Sequence, residues 1–549
     1  MDYDPGLACA GAWRPHQRAI KRPTLPPERS ASPPWIQRKL LGPAEPPIGE
    51  AATRDGLLAR NTLLNLAGMA TPLAVGVAVI PVLVRELGLE RFGLLSLVWV
   101  ILANVAAFNL GRVTTKFIAE ALGHGDRSSV PRLVWTIATA QAIIGVIASV
   151  AFAAAVPVLV DRIFDVPVTL QAEAHAAFAV LAVAIPVMLV GTCFAAVLEA
   201  IQRFDLLNAV VVPSGVATIA LPLLVVLLGG GLASIVAALL AARVAAALAF
   251  FLLSVRAFPR LGRPCAPSLA VAVRMRSFAG WLMVAGVVSP WIRYLDRYVL
   301  ATLLSVSAVA YYSVAFDTIE RLTMVSSAAA LTLFPAFATF QASAAPGRTH
   351  AAFVFALKAL LVTVAPVALG LVAWGPVVLR LWLGASFAEH GATAFQLLAL
   401  VVPVWVLAPI ADAALQAYGR PDVIAKLYVV AFPLNAVLVV VLVGTLGVTG
   451  AALSMALRAL VVATVLLLVT LRTIRLPLAA FAADLWRTIV LVGALGVLLW
   501  TTATALDGAA VQVALASVAL ALFGLGTWSW ALSDVERAQA WALLPRSAR

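Results

Sequence analysis

The sequence contains an almost uninterrupted series of apolar runs from Gly56 to about residue 533. Each run is long enough, at about 20 residues or more, to cross the hydrocarbon core of a bilayer as a helix. Only helices and closed barrels satisfy their backbone hydrogen bonds in lipid, and runs of this length favour helices. We therefore predict an all-α integral membrane protein with about fourteen transmembrane helices, at 57–84, 92–122, 132–160, 176–200, 208–229, 231–255, 277–303, 307–335, 351–383, 393–418, 423–446, 448–471, 485–506 and 509–533.

The composition excludes the other large classes of protein. Hydrophobic residues make up 63% of the chain and charged residues 11%, whereas soluble domains average about 45–50% and 25%. A soluble fold cannot bury that much apolar surface, and disorder is excluded for most of the length. The three cysteines, Cys9, Cys193 and Cys265, are too few for a disulfide scaffold, and we expect them to be unpaired thiols.

The first 55 residues differ from the rest because they are rich in proline and poor in apolar runs. We predict a disordered cytoplasmic tail, without the apolar stretch of a signal peptide. An unstructured extension or a mis-assigned start codon is favoured over a binding module for this segment.

The distribution of Lys and Arg predicts the orientation of the helices. Twenty Lys and Arg residues fall in one set of alternate loops, and only Arg85, Arg91, Arg162 and Arg380 fall in the other. Since cytoplasmic loops collect positive charge, both termini are predicted to be cytoplasmic in a bacterial inner membrane. The net charge of +13 then follows from topology and requires no nucleic-acid partner.

The chain contains an internal repeat. The motif L-x-A-x-x-R-x-D occurs at Leu198–Asp205 and again at Leu415–Asp422, and the same offset superposes Leu87–Ser96 on Leu304–Ser313. Chance is a possible source in a chain rich in Ala and Leu, but one offset at two places favours duplication. Six helices per repeat predict two lobes in the same orientation, related by a pseudo-twofold axis along the membrane normal. The predicted divisions are 1–55 (tail), 56–260 and 270–475 (lobes), 484–533 (two extra helices) and 534–549 (cytoplasmic C-terminus).

Ionisable residues within the spans are the candidates for function, because each would cost roughly 2.5–3.5 kcal/mol against lipid. Those in spans 7 and 8 stand at i, i+3, i+4 spacing, so they either line a substrate cavity or form ion pairs within their own helices. Arg243 and Arg458 have no acidic residue within a turn, which favours the cavity. Arg112 and Lys116 either serve transport or extend to the interface. The candidates are Arg243, Arg458, Arg297, Arg293, Asp296, Asp317, Glu320, Arg321, Asp412, Arg112 and Lys116.

Motifs for enzymatic or ATP-driven chemistry are missing from the sequence. It contains no G-x-x-x-x-G-K-[ST], G-x-S-x-G or H-E-x-x-H motif and no Cys/His cluster. We therefore predict neither an enzyme nor a metal or cofactor site.

The segment Arg85–Leu94 closely resembles the R-x-LG-x-E-x-(F/Y)-G loop of Wzx-like bacterial polysaccharide flippases. These belong to the oligosaccharide flippase family of the multidrug/oligosaccharidyl-lipid/polysaccharide exporter superfamily. Further matches occur, in the same order as in the family, at Asn109–Gly111, Phe117–Glu120, Gln202–Asp205, Leu295–Tyr298, Ala310–Tyr312 and Phe334–Pro335. The resemblance covers about residues 57 to 475, and the two C-terminal helices occur in some members only.

The resemblance implies a carrier that moves an undecaprenyl-diphosphate-linked oligosaccharide to the outer leaflet by alternating access, through an electropositive cavity. Membrane lipids, a polysaccharide polymerase and other assembly proteins are the expected partners, and we expect a monomer. Two alternatives stay open: a cation-coupled exporter of small amphiphiles, and a membrane polysaccharide polymerase or ligase. The first is weakened because span 1 has no acidic residue between Arg60 and Arg85, and the second because no large extracytoplasmic loop is visible.

Overall fold

The computed structural model describes residues 55–543 except 108–110, 124–125, 202, 344–345 and 506–507. Within these residues the regular structure is helical and includes no strand. The chain divides into the units Met1–Leu66 and Ala67–Arg549. In the first unit the described residues are the helical ones from Asp55 onward. The rest of the predicted tail, and residues 544–549 of the predicted cytoplasmic C-terminus, lie outside the described residues.

The helices follow one another with short connections. In chain order they are α1 (Asp55–Ala107), α2 (Gly111–Gly123), α3 (Val130–Val158), α4 (Val168–Ala200), α5 (Phe204–Leu227), α6 (Leu232–Ala257), α7 (Leu269–Leu303), α8 (Val306–Glu320), α9 (Met324–Ala342), α10 (Pro346–Leu383), α11 (Ala385–Trp405), α12 (Ala408–Ala417), α13 (Pro421–Thr473), α14 (Leu478–Ala505), α15 (Ala509–Gly526) and α16 (Asp534–Leu543). A π-helical turn, Leu159–Ile163, extends α3, and another, Thr527–Ala531, follows α15.

Eleven segments of the described chain are long and apolar enough to span a membrane. The prediction of an all-α membrane fold is therefore confirmed, whereas the count of fourteen remains a prediction. Two of the eleven segments contain a break at a glycine with positive φ, Gly88 (φ 75°) in α1 and Gly447 (φ 61°) in α13. These breaks coincide with the predicted boundaries between spans 1 and 2 and between spans 11 and 12. Glycine adopts positive φ without a steric cost, so the chain can change direction there.

The helices pack in two sets of neighbours. In the first set α4 contacts α2, α3 and α6, and α5 lies against α6. In the second set α11 packs between α10 and α13, α12 lies against α9 and α13, and α7 contacts both α8 and α13. The division into two six-helix lobes stays a prediction.

The last helices are attached to α10. Helix α14 packs along α10, and a buried cluster that includes Ala373, Leu495 and Phe523 joins α10, α14 and α15. The Trp374 indole donates a hydrogen bond to Gln512 Oε1 on α15 (3.3 Å). The two predicted extra helices therefore belong with the second set of neighbours.

The duplicated motif adopts the same local structure at both of its positions. The backbone N–H of Arg203 donates to the Leu198 carbonyl and that of Arg420 to the Leu415 carbonyl, each at 2.9 Å. Each arginine also donates from Nε to the aspartate two residues later, Arg203 to Asp205 (2.9 Å) and Arg420 to Asp422 (3.3 Å). The first motif ends α4 and begins α5, and the second ends α12 and begins α13. The sequence repeat is therefore also a structural repeat.

Candidate functional site

The ionisable residues of α7 and α8 form one cluster. The two helices are consecutive and joined by Leu304 and Ser305, and the Ser305 hydroxyl caps α8 by accepting a hydrogen bond from the Ala308 N–H (3.1 Å). This short connection keeps the two helices adjacent, so that the polar face of α7 meets the polar face of α8.

Two ion pairs cross between these helices. Arg297 of α7 pairs with Asp317 of α8, and one turn away Arg293 pairs with Glu320. The Arg297 side chain is 3% exposed, whereas that of Arg293 is 54% exposed. The expectation of ion pairs within each helix is therefore corrected to pairs between the two helices. Side chains at i, i+3, i+4 spacing can pair along one helix, but here the acidic side chains of α8 lie beside the arginines of α7.

The carboxylate of Asp296 is buried beside these pairs. It accepts hydrogen bonds from the Tyr312 hydroxyl of α8 and from the backbone N–H of Arg297 (2.9 Å). The guanidinium of Arg297 also lies over the rings of Phe316 (5.1 Å) and Tyr294 (5.3 Å). Cation–π contacts of this kind stabilise a desolvated guanidinium. Asp296 and Arg297 are thus held in place by protein groups on several sides.

Arg458 of α13 reaches the same cluster. Its Nη1 donates to the backbone carbonyl of Ile292 on α7 (2.7 Å), and its charge interacts with Asp296 and Tyr312. It forms no ion pair with any side chain in the described part of the chain.

Arg243 lies on α6 and is not part of the α7–α8 cluster. It is half-buried, and its Nη2 donates to the Thr218 hydroxyl on α5 (3.0 Å). Among the described residues no acidic side chain forms an ion pair with it. The structure therefore leaves most of its donor groups available.

The remaining candidates occupy separate places. The guanidinium of Arg321, directly after α8, packs against Gly76 of α1, where an added Cβ would lie 2.8 Å from Nη1. Asp412 of α12 accepts a hydrogen bond from Gln416 one turn later (2.7 Å). Lys116 is exposed on α2 with its ammonium 5.6 Å from the Phe117 ring centre. The side chain of Arg112 lies outside the described residues. The choice between transport and interfacial roles for Arg112 and Lys116 stays open.

Two further polar contacts of this region involve tyrosines that were not among the predicted site residues. Asn104 of α1 donates to the Tyr298 hydroxyl of α7 (2.7 Å), and Tyr312 donates to Asp296. Tyr298 and Tyr312 both belong to segments that match the flippase motifs, which could have indicated them. The Gly93 position of the first motif touches the start of α8, where a Cβ would lie 1.8 Å from the Val306 carbonyl oxygen.

Lys358, one of the twenty basic residues assigned to the cytoplasmic loops, lies within a helix instead. It lies on α10 with a side chain that is 6% exposed, and its ammonium contacts both carboxylate oxygens of Glu536 on α16 (2.9 and 3.0 Å).

The described residues contain no group of three or more side chains that could hold a metal ion.

Comparisons with known proteins identify the family. The family model described as polysaccharide biosynthesis protein matches residues 58–341, which is slightly more than half of the chain. The chain belongs to this family. Its match includes α7, α8 and the residues of the two ion pairs. The predicted membership of the Wzx-like flippases and the prediction of a membrane transporter are confirmed.

Relatives and solved structures agree with the family. A Shigella flexneri protein named as an O-antigen transporter is 24% identical over 414 residues, which cover 74% of this chain and 96% of the relative. An inward-facing multidrug resistance MATE family transporter of the MOP superfamily superposes with a TM-score of 0.64 at 16% identity, covering 75% of this chain and 98% of that one. The lipid II flippase MurJ, in an inward closed conformation, gives 0.64 at 11% identity, covering 84% and 97%. The two structures show a shared fold, and the relatives are transporters and flippases rather than enzymes.

Proposed function

We propose that this chain is a secondary, ATP-independent transporter that flips a polyprenyl-diphosphate-linked oligosaccharide from the cytoplasmic to the outer leaflet of the bacterial inner membrane. Two comparisons support this substrate class besides the family itself. The Shigella flexneri relative is named as an O-antigen transporter, and one structural neighbour is a lipid II flippase. The product would serve the synthesis of a cell-surface polysaccharide. The absence of a phosphate-binding loop in the sequence supports a mechanism without ATP.

Arg243 is the observation that carries the proposal. A half-buried guanidinium within an apolar span is costly to keep, and intramembrane charges usually mark a substrate path. Arg243 has one hydrogen-bond partner, the Thr218 hydroxyl, and no acidic neighbour among the described residues. It therefore supplies uncompensated positive charge, which suits a diphosphate or an acidic sugar.

Arg458 is the second cavity residue in this proposal. It lies in the second arm of α13, at a place that corresponds to α6 in the sequence repeat, and it too lacks an ion pair in the described chain. Arg293, Arg297, Asp317 and Glu320 have a different role, since their charges are compensated pairwise across α7 and α8. We assign them to holding these two helices together.

The mechanism proposed is alternating access of two six-helix lobes, at 56–260 and 270–475, with both termini cytoplasmic. The protein acts as a monomer. A polysaccharide polymerase and other assembly proteins would receive the flipped substrate.

Transport by arginine variants tests the proposal. In a strain that lacks the chromosomal gene, Arg243→Ala and Arg458→Ala should each lower surface polysaccharide and raise the cytoplasmic-leaflet intermediate. We expect an effect of about 10- to 100-fold, because a hydrogen bond to a charged group contributes about 1.5–3 kcal/mol. Lysine at either position should restore part of the activity, since it keeps the charge but loses bidentate geometry.

Arg348→Ala is the matched control, because Arg348 is exposed at the start of α10 and has no ion pair among the described residues. It should export normally, and the abundance of every variant is measured by a C-terminal fluorescent tag. Full export by the Arg243→Ala, Arg458→Ala double variant would refute the cavity role. Drug resistance without any change in lipid-linked glycan would instead favour a cation-coupled exporter of small amphiphiles.

A further inference from the structure

A cleft of about 1240 Å³ opens where α2, α3 and the α6–α7 connection meet. Its charged lining consists of Arg132, Arg260 and Arg263 together with Glu120 and Asp126. The cleft lies at the ends of helices and apart from the α7–α8 cluster. By the distribution of Lys and Arg, this is the predicted cytoplasmic end of the spans.

The walls of the cleft are fixed to each other. The Trp135 indole of α3 donates to the Leu261 carbonyl of the α6–α7 connection (3.1 Å), and the backbone N–H of Ser268 donates to the Thr136 hydroxyl (3.1 Å). The Leu261 side chain is fully buried in the cluster formed with α2, α3 and α4. The cleft is therefore preformed, so a ligand would not have to order the connection.

The arginines of the cleft are available for a ligand. Arg132, Arg260 and Arg263 are exposed, and none forms an ion pair or a side-chain hydrogen bond with another described residue. Asp126, in contrast, accepts hydrogen bonds from the Ser128 hydroxyl (2.7 Å) and the Ser129 N–H (3.1 Å), which lower the pKa of its carboxyl group. Its carboxylate is thus engaged in closing the turn before α3. With three guanidinium groups and two carboxylates, the lining has an excess of positive charge.

The length of α3 places the cleft at the membrane surface. The span Val130–Ile163 has 34 residues, which extend about 50 Å at about 1.5 Å per residue. The hydrocarbon core is about 30 Å thick and the whole bilayer about 40–45 Å. A span of this length reaches the lipid headgroups, where phosphate is the commonest anion, and the start of α3 is its predicted cytoplasmic end.

We propose that this cleft binds the phosphate group of a membrane lipid at the cytoplasmic surface. Guanidinium groups bind phosphate through paired hydrogen bonds, and three arginines line this one preformed cavity. The phosphate belongs either to a phospholipid headgroup or to the diphosphate of a polyprenyl lipid. The site involves residues other than those assigned to the transport cavity and requires binding alone, but in its polyprenyl form it rests on the proposed function.

Cys265 lines the cleft and provides the measurement. Cys193 is fully buried, so in a Cys9→Ser background maleimide alkylation of the full chain reports on Cys265. The rate is measured in dodecyl maltoside with dioleoyl phosphatidylglycerol, undecaprenyl diphosphate, inorganic pyrophosphate or dioleoylglycerol, the last being a lipid without phosphate. At about ten times its Kd, a bound probe should slow alkylation about tenfold, because about nine-tenths of the sites are then occupied.

Protection by phosphatidylglycerol but not by dioleoylglycerol supports a phospholipid headgroup. Protection by undecaprenyl diphosphate at a lower concentration than by phosphatidylglycerol supports the polyprenyl lipid. Protection should be lost in Arg260→Ala, Arg263→Ala and retained in the Arg348→Ala control, each compared with its own unliganded rate. Equal protection by dioleoylglycerol, protection by pyrophosphate alone, or protection that survives loss of the arginines would overturn the proposal.

Discussion

Replacing Glu536 by Gln removes the carboxylate that neutralises Lys358. The two side chains are 13% and 6% exposed, and the ammonium then retains only the Ala531 carbonyl at 3.5 Å besides the new amide. Removing one partner of a buried ion pair costs about 3–5 kcal/mol, because the other charge stays buried and uncompensated. Glu536 also accepts the Ser533 N–H (2.8 Å) in a capping box that begins α16. We expect Glu536→Gln to destabilise the attachment of α16 to α10 by this amount.

Hydrogen exchange of the α16 amides measures this free energy directly, because local opening is read segment by segment. Asp534→Asn is the matched control. Asp534 is 96% exposed and pairs with Arg537, so its loss should cost less than about 1 kcal/mol. The double variant Lys358→Met, Glu536→Leu should lie close to the parent protein, since an apolar pair avoids the desolvation of both charges. Unchanged α16 exchange in Glu536→Gln would refute the reasoning.

The same ion pair predicts a dependence on pH. Burial opposes ionisation of Glu536, but hydrogen bonds from Ser533 and Lys358 outweigh it, so the pKa of its carboxyl group lies below its ordinary value of 4.5. A depressed pKa means that the stabilisation is present above about pH 4.5 and is lost as the pH falls through the lower, folded-state pKa. The protection of the α16 amides, taken relative to the intrinsic exchange rate at each pH, should therefore fall in this acidic range in the parent protein and not in the double variant.

Three further outcomes are expected. In a Cys9→Ser, Cys265→Ser background, a cysteine in place of the exposed Arg348 should react with an impermeant maleimide in inverted vesicles but not in intact cells, and reaction in intact cells would reverse the predicted topology. Truncation before Gly56 should leave export unchanged, whereas lost export at normal abundance would assign a function to the tail. Gly93→Ala should reduce the folded yield, because a Cβ at Gly93 would meet the Val306 carbonyl. The control Gly370→Ala should not, because a Cβ there would meet no atom within 4 Å. Equal yields would show that α1 and α8 can separate at Gly93.

Much of the fold could be predicted from apolar run length alone. The breaks at Gly88 and Gly447 fall where one predicted span ends and the next begins, since glycine and a change of direction go together. The duplicated R-x-D motif could also be recognised in the sequence, because the hydrogen bond between its Arg and Asp side chains joins residues only two positions apart.

The partners of the intramembrane charges could not be predicted. The spacing of Arg293, Asp296 and Arg297 allows pairs within α7 as readily as pairs with α8, and only the distance and rotation of the neighbouring helix decide between them. Lys358 and Glu536 are 178 residues apart, so no local pattern relates them. The cleft beside α2 and α3 could not be predicted for the same reason, since Arg132 and Arg260 line one cavity only when the α6–α7 connection docks on α3.

The two R-x-D turns bear on how the protein is made. The backbone hydrogen bond that closes the first turn and its Arg–Asp pair lie between Leu198 and Asp205, and those of the second turn lie between Leu415 and Asp422. These contacts therefore need no later part of the chain in order to form. During synthesis, the junction between α4 and α5 can acquire its final geometry while the ribosome has yet to complete the second half. The reversal of direction between successive helices is then set at the moment of insertion, and the bundle assembles around turns that are already in place.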